Sequence, residues 1–191
     1  PAFLMAMTTR TNVHGPASYM MNTGFMLPGF PCFGAWVSYA LGSLSQNLPA
    51  FVVLPDPRGL PYNQKGNFSA GFLPSRHQGT LVDASRNPPI ADLEADSVYG
   101  FARGEADAAT QRLLRDINQE HARQRPGETL LESRIAAAEL AAGMQLAAPE
   151  AFDIARESAQ TQSAYGLDQP ETADFGRRCL LARRLIERGT R

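Results

Sequence analysis

Apolar and polar positions fall into three regimes along the chain. Residues 1–54 carry short apolar runs separated by polar turns. Residues 55–104 carry proline and glycine too closely spaced for any regular period, and residues 105–191 carry apolar residues at helical spacing among charges. The run Pro1 to Met7 predicts a short buried strand. Pro16 to Met21 predicts a helix closed by Gly24, so the polar stretch Thr8 to His14 reads as the turn between them. Such a turn would set Thr11, Asn12 and His14 at a strand's carboxyl end, beside free helix N–H groups, where open α/β sheets hold anions.

Beyond a Pro/Gly turn at Pro28 to Pro31, Phe33, Trp36, Val37, Ala40, Leu41 and Leu44 recur at helical spacing and predict an amphipathic helix. Gly42 and Asn47-Leu48-Pro49 end it. Phe51 to Leu54 is apolar on both faces, the signature of a buried, parallel, central strand.

Pro55, Pro57, Gly59, Pro61, Gly66, Gly71, Pro74 and Gly79 then interrupt every period, and Pro88 and Pro89 follow. A loop of that length is functional or disordered. Aromatic residues at Tyr62, Phe68, Phe72, Tyr99 and Phe101 favour an anchored excursion over the ligand-facing edge of the sheet. Within it, Ser75-Arg76-His77-Gln78 concentrates hydrogen-bonding side chains; Arg76, with His77 beside it, could hold an oxyanion, and the favoured alternative is that both satisfy exposed loop carbonyls.

The last part predicts helices. Asp107 to Gln124 places Ala109, Leu113, Leu114, Ile117 and His121 on one side. Thr129-x-x-Glu132 reads as a capping box opening a helix to about Ala147, with Leu131, Ile135, Ala138 and Ala142 as its stripe; Pro149 starts another short helix. Asp168-Gln169-Pro170-Glu171 caps a final helix with Phe175, Cys179, Ala182, Leu185 and Ile186 inward. Arg177, Arg178, Arg183, Arg184 and Arg188 are outward in this reading.

The turn and first helix also carry a resemblance. Sulfatases of the alkaline phosphatase superfamily have Cys/Ser-x-Pro-Ser-Arg, four residues, then Thr-Gly; His14-Gly15-Pro16-Ala17-Ser18 and Thr23-Gly24 fall in that register. His14 occupies the nucleophile position and Ser18 the arginine position. The chain resembles more closely the bacterial family called domain of unknown function 1501, a sulfatase-like branch. The carrying segments include Gly34-Ala35-Trp36-Val37-Ser38-Tyr39, Asn47-Leu48-Pro49, Phe51 to Leu54 and Gly71 to Gly79. Arg134-Ile135-Ala136, Glu139-Leu140-Ala141, Met144-Gln145 and Cys179 to Leu185 extend it over nearly the whole chain.

The resemblance implies an α/β fold: a partial alkaline phosphatase or sulfatase-like core with few short strands, a Pro/Gly-rich loop region and a helix-rich second half. It implies one incomplete domain, an internal fragment whose parent is secreted or periplasmic. That parent would hydrolyse sulfate or phosphate esters with a divalent ion (Ca, Mg or Zn) held by acids outside these residues, and the fragment alone would be inactive. His14 would act as nucleophile, general base or metal ligand, while Thr11 and Asn12 hold ester oxygens. The competing expectation is a secreted, non-catalytic binding or cell-surface scaffold that has lost the usual nucleophile.

Composition narrows the partners. A net charge of −1 gives no field for nucleic acid, and acids share the last helix with its arginines. No apolar run approaches the ~18 residues of a membrane span. Cys32 and Cys179 sit among apolar neighbours and read as free thiols. No Cys/His zinc spacing, Gly-rich phosphate loop or internal repeat is present.

Overall fold

A computed structural model describes residues 5–86, 88–91, 93 and 104–191. Helix α1 is His14–Thr23, α2 is Phe33–Leu41, β1 is Val52–Val53 and β2 is Thr80–Leu81. Short 3-10 turns at Gln64–Phe68 and Ser75–His77 lie between the strands. Helices α3 (Gly104–Arg123), α4 (Thr129–Phe152), α5 (Ala159–Ala164) and α6 (Pro170–Glu187) follow. The fold is mixed α/β and helix-rich.

Helix α1 ends as its sequence predicts. Gly24 takes the left-handed conformation at φ 83°, where a side chain would be strained, and its N–H returns to the Met20 carbonyl. The expected strand before α1 is not formed in its described part. Residues 1–4 lie outside the described residues, and Met5 and Met7 are exposed, with no strand beside them among the described residues.

Strand β1 pairs in parallel with β2 in the register Val52↔Thr80 and Val53↔Leu81. Among the described residues β2 is its single neighbour, so β1 is parallel but not central. The α2 face departs from its apolar spacing. Ala35 and Ser38 are buried, while Phe33, Trp36, Leu41 and the following Leu44 are exposed. Small residues face inward because the helix comes close to the strand layer: a Cβ on Gly34 would overlap the Phe51 ring.

The core joins both halves of the chain. Leu48 and Val82 pack with Ala151, Leu181 and Leu185. An adjoining cluster holds Leu93, Met144 and Ala148. The helical part therefore packs directly on the segments carrying β1 and β2.

Helix α4 runs unbroken through Pro149 to Phe152, where a break after Ala147 was expected. Proline removes one i→i−4 bond, but Ala148 and Ala151 on either side of it are fully buried, so core packing holds the last turn. No capping box forms. Glu128 is the N-cap, without a side-chain bond, and Thr129 is already helical. The buried side of α4 is Ser133, Met144, Ala148 and Ala151; Leu131, Ile135 and Ala142 are half-buried and Ala138 is exposed.

On α3 the predicted stripe of Ala109, Leu113, Leu114, Ile117 and His121 is exposed, since periodicity marks a face without supplying its cover. On α6, Pro170 stands in the first turn as expected, whereas Asp168 accepts a bond from Ser163 Oγ at 2.8 Å and does not cap the helix. Leu185 is buried with Leu180 and Leu181, but Phe175 and Ile186 are exposed.

Arg184, expected outward, is 3% exposed. Its Nε donates to the Ala151 carbonyl at 3.0 Å and one Nη to the Glu150 carbonyl at 2.8 Å, while the other Nη pairs with the Glu157 carboxylate. The last carbonyls of α4 are poorly paired, Glu150 receiving only the Asp153 N–H at 3.4 Å, and this guanidinium supplies donors for them.

In the Pro/Gly region Phe68 is half-buried, Tyr62 and Phe72 are exposed, and Tyr99 and Phe101 lie outside the described residues. Both cysteines are free thiols, Cys32 buried and Cys179 half-buried. No helix is long and apolar enough to cross a membrane among the described residues.

Candidate functional site

The turn before α1 is built by threonines. Thr9 Oγ1 donates to the Thr11 carbonyl at 2.6 Å, and Thr11 Oγ1 accepts the Val13 N–H at 3.1 Å. Val13, the N-cap, has no side-chain oxygen to offer the helix. The Ala17 N–H bonds the Val13 carbonyl at 3.0 Å, and Pro16 has no N–H. The N–H groups of His14 and Gly15 are left, and neither meets an acceptor among the described residues. Two donors and the positive end of a ten-residue helix therefore face outward beside the His14 ring.

His14 is exposed but held in place. Its ring stacks on Tyr62, with centroids 4.6 Å apart and planes 12° from parallel. The segment after Tyr62 is fastened to α1: Asn63 Nδ2 donates to the Gly15 carbonyl at 2.6 Å, and Ser18 Oγ donates to Asn67 Oδ1 at 2.7 Å. Asn67 is fully buried and also donates to the carbonyls of Tyr62 and Gln64. Asn63 and Gln64 take left-handed conformations at φ 69° and 50°, a costly geometry that these surrounding bonds hold.

Thr11 and Asn12 sit beside His14 in sequence and in the turn. The Thr11 hydroxyl oxygen is engaged as an acceptor, which leaves its proton free to donate. Asn12 is exposed. Tyr62, Asn63 and Asn67 carry no sequence motif. Their one local signal is a Tyr-Asn pair after Pro61, turn chemistry shared with many loops.

Arg76 and His77 belong to a different neighbourhood. The Ser75–His77 turn packs on α2 and α4, whereas the Gln64–Phe68 turn packs on α1. No bond or ring contact joins Arg76 or His77 to Thr11, Asn12 or His14 among the described residues. His77 is buried, with Nδ1 2.8 Å from Ser38 Oγ, and Arg76 Nε donates to its Nε2 at 3.1 Å.

A guanidinium can only donate, so Nε2 holds the lone pair and Nδ1 the proton. Ser38 Oγ is then the acceptor, and His77 cannot take the Ser38 proton in this arrangement. Burial pushes the His77 pKa down from 6.5, and the Arg76 charge adds to it. The Ser38–His77 pair is a neutral structural bond, and Arg76 itself is exposed.

The carboxyl ends of β1 and β2 lead to Asp56 and Asp83. Both line a cavity of about 230 Å³ with Asp174 and Arg178. Arg58 grips Asp56 through Nε at 2.8 Å and Nη2 at 3.0 Å and holds its carboxyl far below the usual range. Ser85 donates to Asp83 from its hydroxyl at 2.6 Å and its N–H at 3.0 Å, lowering that carboxyl as well. No group of three His, Cys, Asp or Glu side chains is placed to hold a metal among the described residues.

The family model described as "Protein of unknown function (DUF1501)" matches residues 1–191, and the chain belongs to that family. No curated protein and no solved structure matches it.

Proposed function

We propose that the start of α1 seats the oxyanion of a sulfate or phosphate ester, with His14 at the reacting group of a sulfatase-like hydrolase of the alkaline phosphatase type. The observation that carries this reading is the pair of unpartnered N–H groups at His14 and Gly15 beside an exposed imidazole stacked on Tyr62. Backbone donors at a helix N-terminus stabilise negative charge on oxygen. An imidazole near neutral pH serves as general base, nucleophile or ligand. Thr11, whose hydroxyl proton is free to donate, and exposed Asn12 supply further donors in the same turn, whereas Arg76 belongs to the separate turn packed on α2 and α4.

The divalent ion implied by the family resemblance finds no three-ligand set among the described residues. The role proposed for this chain is therefore to bind the anion and position His14. Titration with inorganic sulfate and with inorganic phosphate, followed by amide NMR, tests it. Saturable shifts of the His14 and Gly15 N–H signals are expected, and unmoved signals at both would overturn the reading.

A second reading, a non-catalytic binding scaffold, draws on the exposed aromatic side of α2. Trp36 lies edge-on to Tyr39 and to Phe72, with centroids 6.1 and 5.8 Å away. It predicts no anion-dependent shift at residues 14 and 15.

A further inference from the structure

A cavity of about 450 Å³ opens between Ala84, Arg86, Pro88, Pro89 and Leu93, the end of α4 and the middle of α6. Its apolar wall comes from Leu93 and Leu181, both buried, with Phe152 and Ile154 half-buried beside them. Arg86 and Arg177 stand on the same cavity.

Among the described residues, neither guanidinium makes a hydrogen bond or an ion pair. Arg86 acts on Asp83 only through space, as a minor influence beside the Ser85 bonds. Asp153, the one acid lining it among the described residues, is already engaged by the Ala155 N–H at 3.2 Å and by Arg156 at 3.8 Å.

The other arginines of α6 are spent on partners, Arg178 on Asp174, Arg183 on Glu187 and Arg184 on Glu157, as is the C-cap Arg188 on Glu150. Arg177 thus differs from its neighbours on the same helix. Two guanidiniums without partners among the described residues, beside an apolar wall, match an anionic head joined to an apolar body, and the volume lies in the range of small-molecule sites. We propose that this cavity binds a small organic anion, its charged head between Arg86 and Arg177 and its apolar body against Phe152, Leu93 and Leu181. The cavity shares no residue with the His14 site, so the proposal stands apart from the ester-hydrolase reading.

Calorimetric titration with 1-naphthoate, an anion that is not an ester, tests it, beside acetate as the head alone and 1-naphthol as the body alone. One-to-one saturable binding by naphthoate is expected, at least tenfold tighter than by either piece. An Arg86→Gln/Arg177→Gln double variant should weaken it at least tenfold with an unchanged melting temperature, while His14→Ala leaves naphthoate binding intact. Wild-type affinity in the double variant, equally tight binding of acetate or of 1-naphthol, loss of naphthoate binding in His14→Ala, or no saturable binding would each overturn the proposal.

Discussion

The ring of His14 lies flat against the ring of Tyr62, 4.6 Å away between centroids, so the first residue of α1 is positioned by a segment that follows β1. An exposed histidine would otherwise sample several rotamers. The stacking joins the helix start to a loop whose own shape is set beneath it by Asn67.

Asn67→Ala should therefore disturb the site from below. It removes the Asn67 donor from the carbonyls of Tyr62 and Gln64 and the Asn67 acceptor from the Ser18 hydroxyl, leaving Ser18 and Tyr62 only their mutual bond at 3.3 Å, at a cost of about 2 kcal/mol. Urea unfolding should show that loss, and the His14 ring signals should move toward those of a free imidazole. Ring signals that stay in place would mean that Tyr62 is held independently of Asn67.

The Arg76–His77–Ser38 chain predicts a pH dependence. Burial, aided by Arg76, lowers the folded-state pKa of His77 below its ordinary 6.5, so the unfolded chain binds the proton first as the solution is acidified. The stabilising contribution of neutral His77 is complete above pH 6.5 and declines as the pH falls from there through the lowered pKa. The lowered carboxyls of Asp83 and Glu150 act the same way in a more acidic range, below their unfolded values of 3.8 and 4.5. Stability measured between about pH 5 and 7 should fall on acidification in the wild type and stay flatter in His77→Asn. Equal slopes for the two would contradict the buried neutral assignment.

Arg184 joins α6 to the end of α4 through three separate acceptors. Arg184→Met keeps most of the packing volume but strands the Ala151 carbonyl and the Glu157 carboxylate and leaves the Glu150 carbonyl only the Asp153 N–H at 3.4 Å, and a loss of about 3 kcal/mol is expected. Pairing it with Glu157→Gln should recover part of that loss. A single variant as stable as the wild type would show that water replaces the guanidinium at no cost.

The elements with strong local signals were legible in the sequence. Gly24 and Gly42 mark the ends of α1 and α2, the apolar run around Val52 and Val53 marks β1, and Pro170 opens α6. Their inward faces were less legible, because close approach of backbones selects small residues over large apolar ones. Ala35 and Ser38 go in where Phe33 and Trp36 fit the apolar period better.

Arg184 was misread for a related reason. Charge pattern predicts solvent, and the carbonyls that draw it inward belong to another helix. The site divides in the same way. His14, Thr11 and Asn12 could be found from their own turn, whereas Tyr62 and Asn67 act across the fold and leave no periodic trace. His77 was visible as a candidate, but its neutral state depends on burial and on Ser38 in α2.

The most direct measurement is turnover of 4-nitrophenyl sulfate and 4-nitrophenyl phosphate by the intact protein, with and without chelator, beside His14→Ala. The account predicts chelator-sensitive hydrolysis of at least one ester, reduced by about 100-fold or more in the variant at unchanged melting temperature. Wild-type turnover in His14→Ala, or no hydrolysis of either ester by the intact protein with divalent metal supplied, would contradict it.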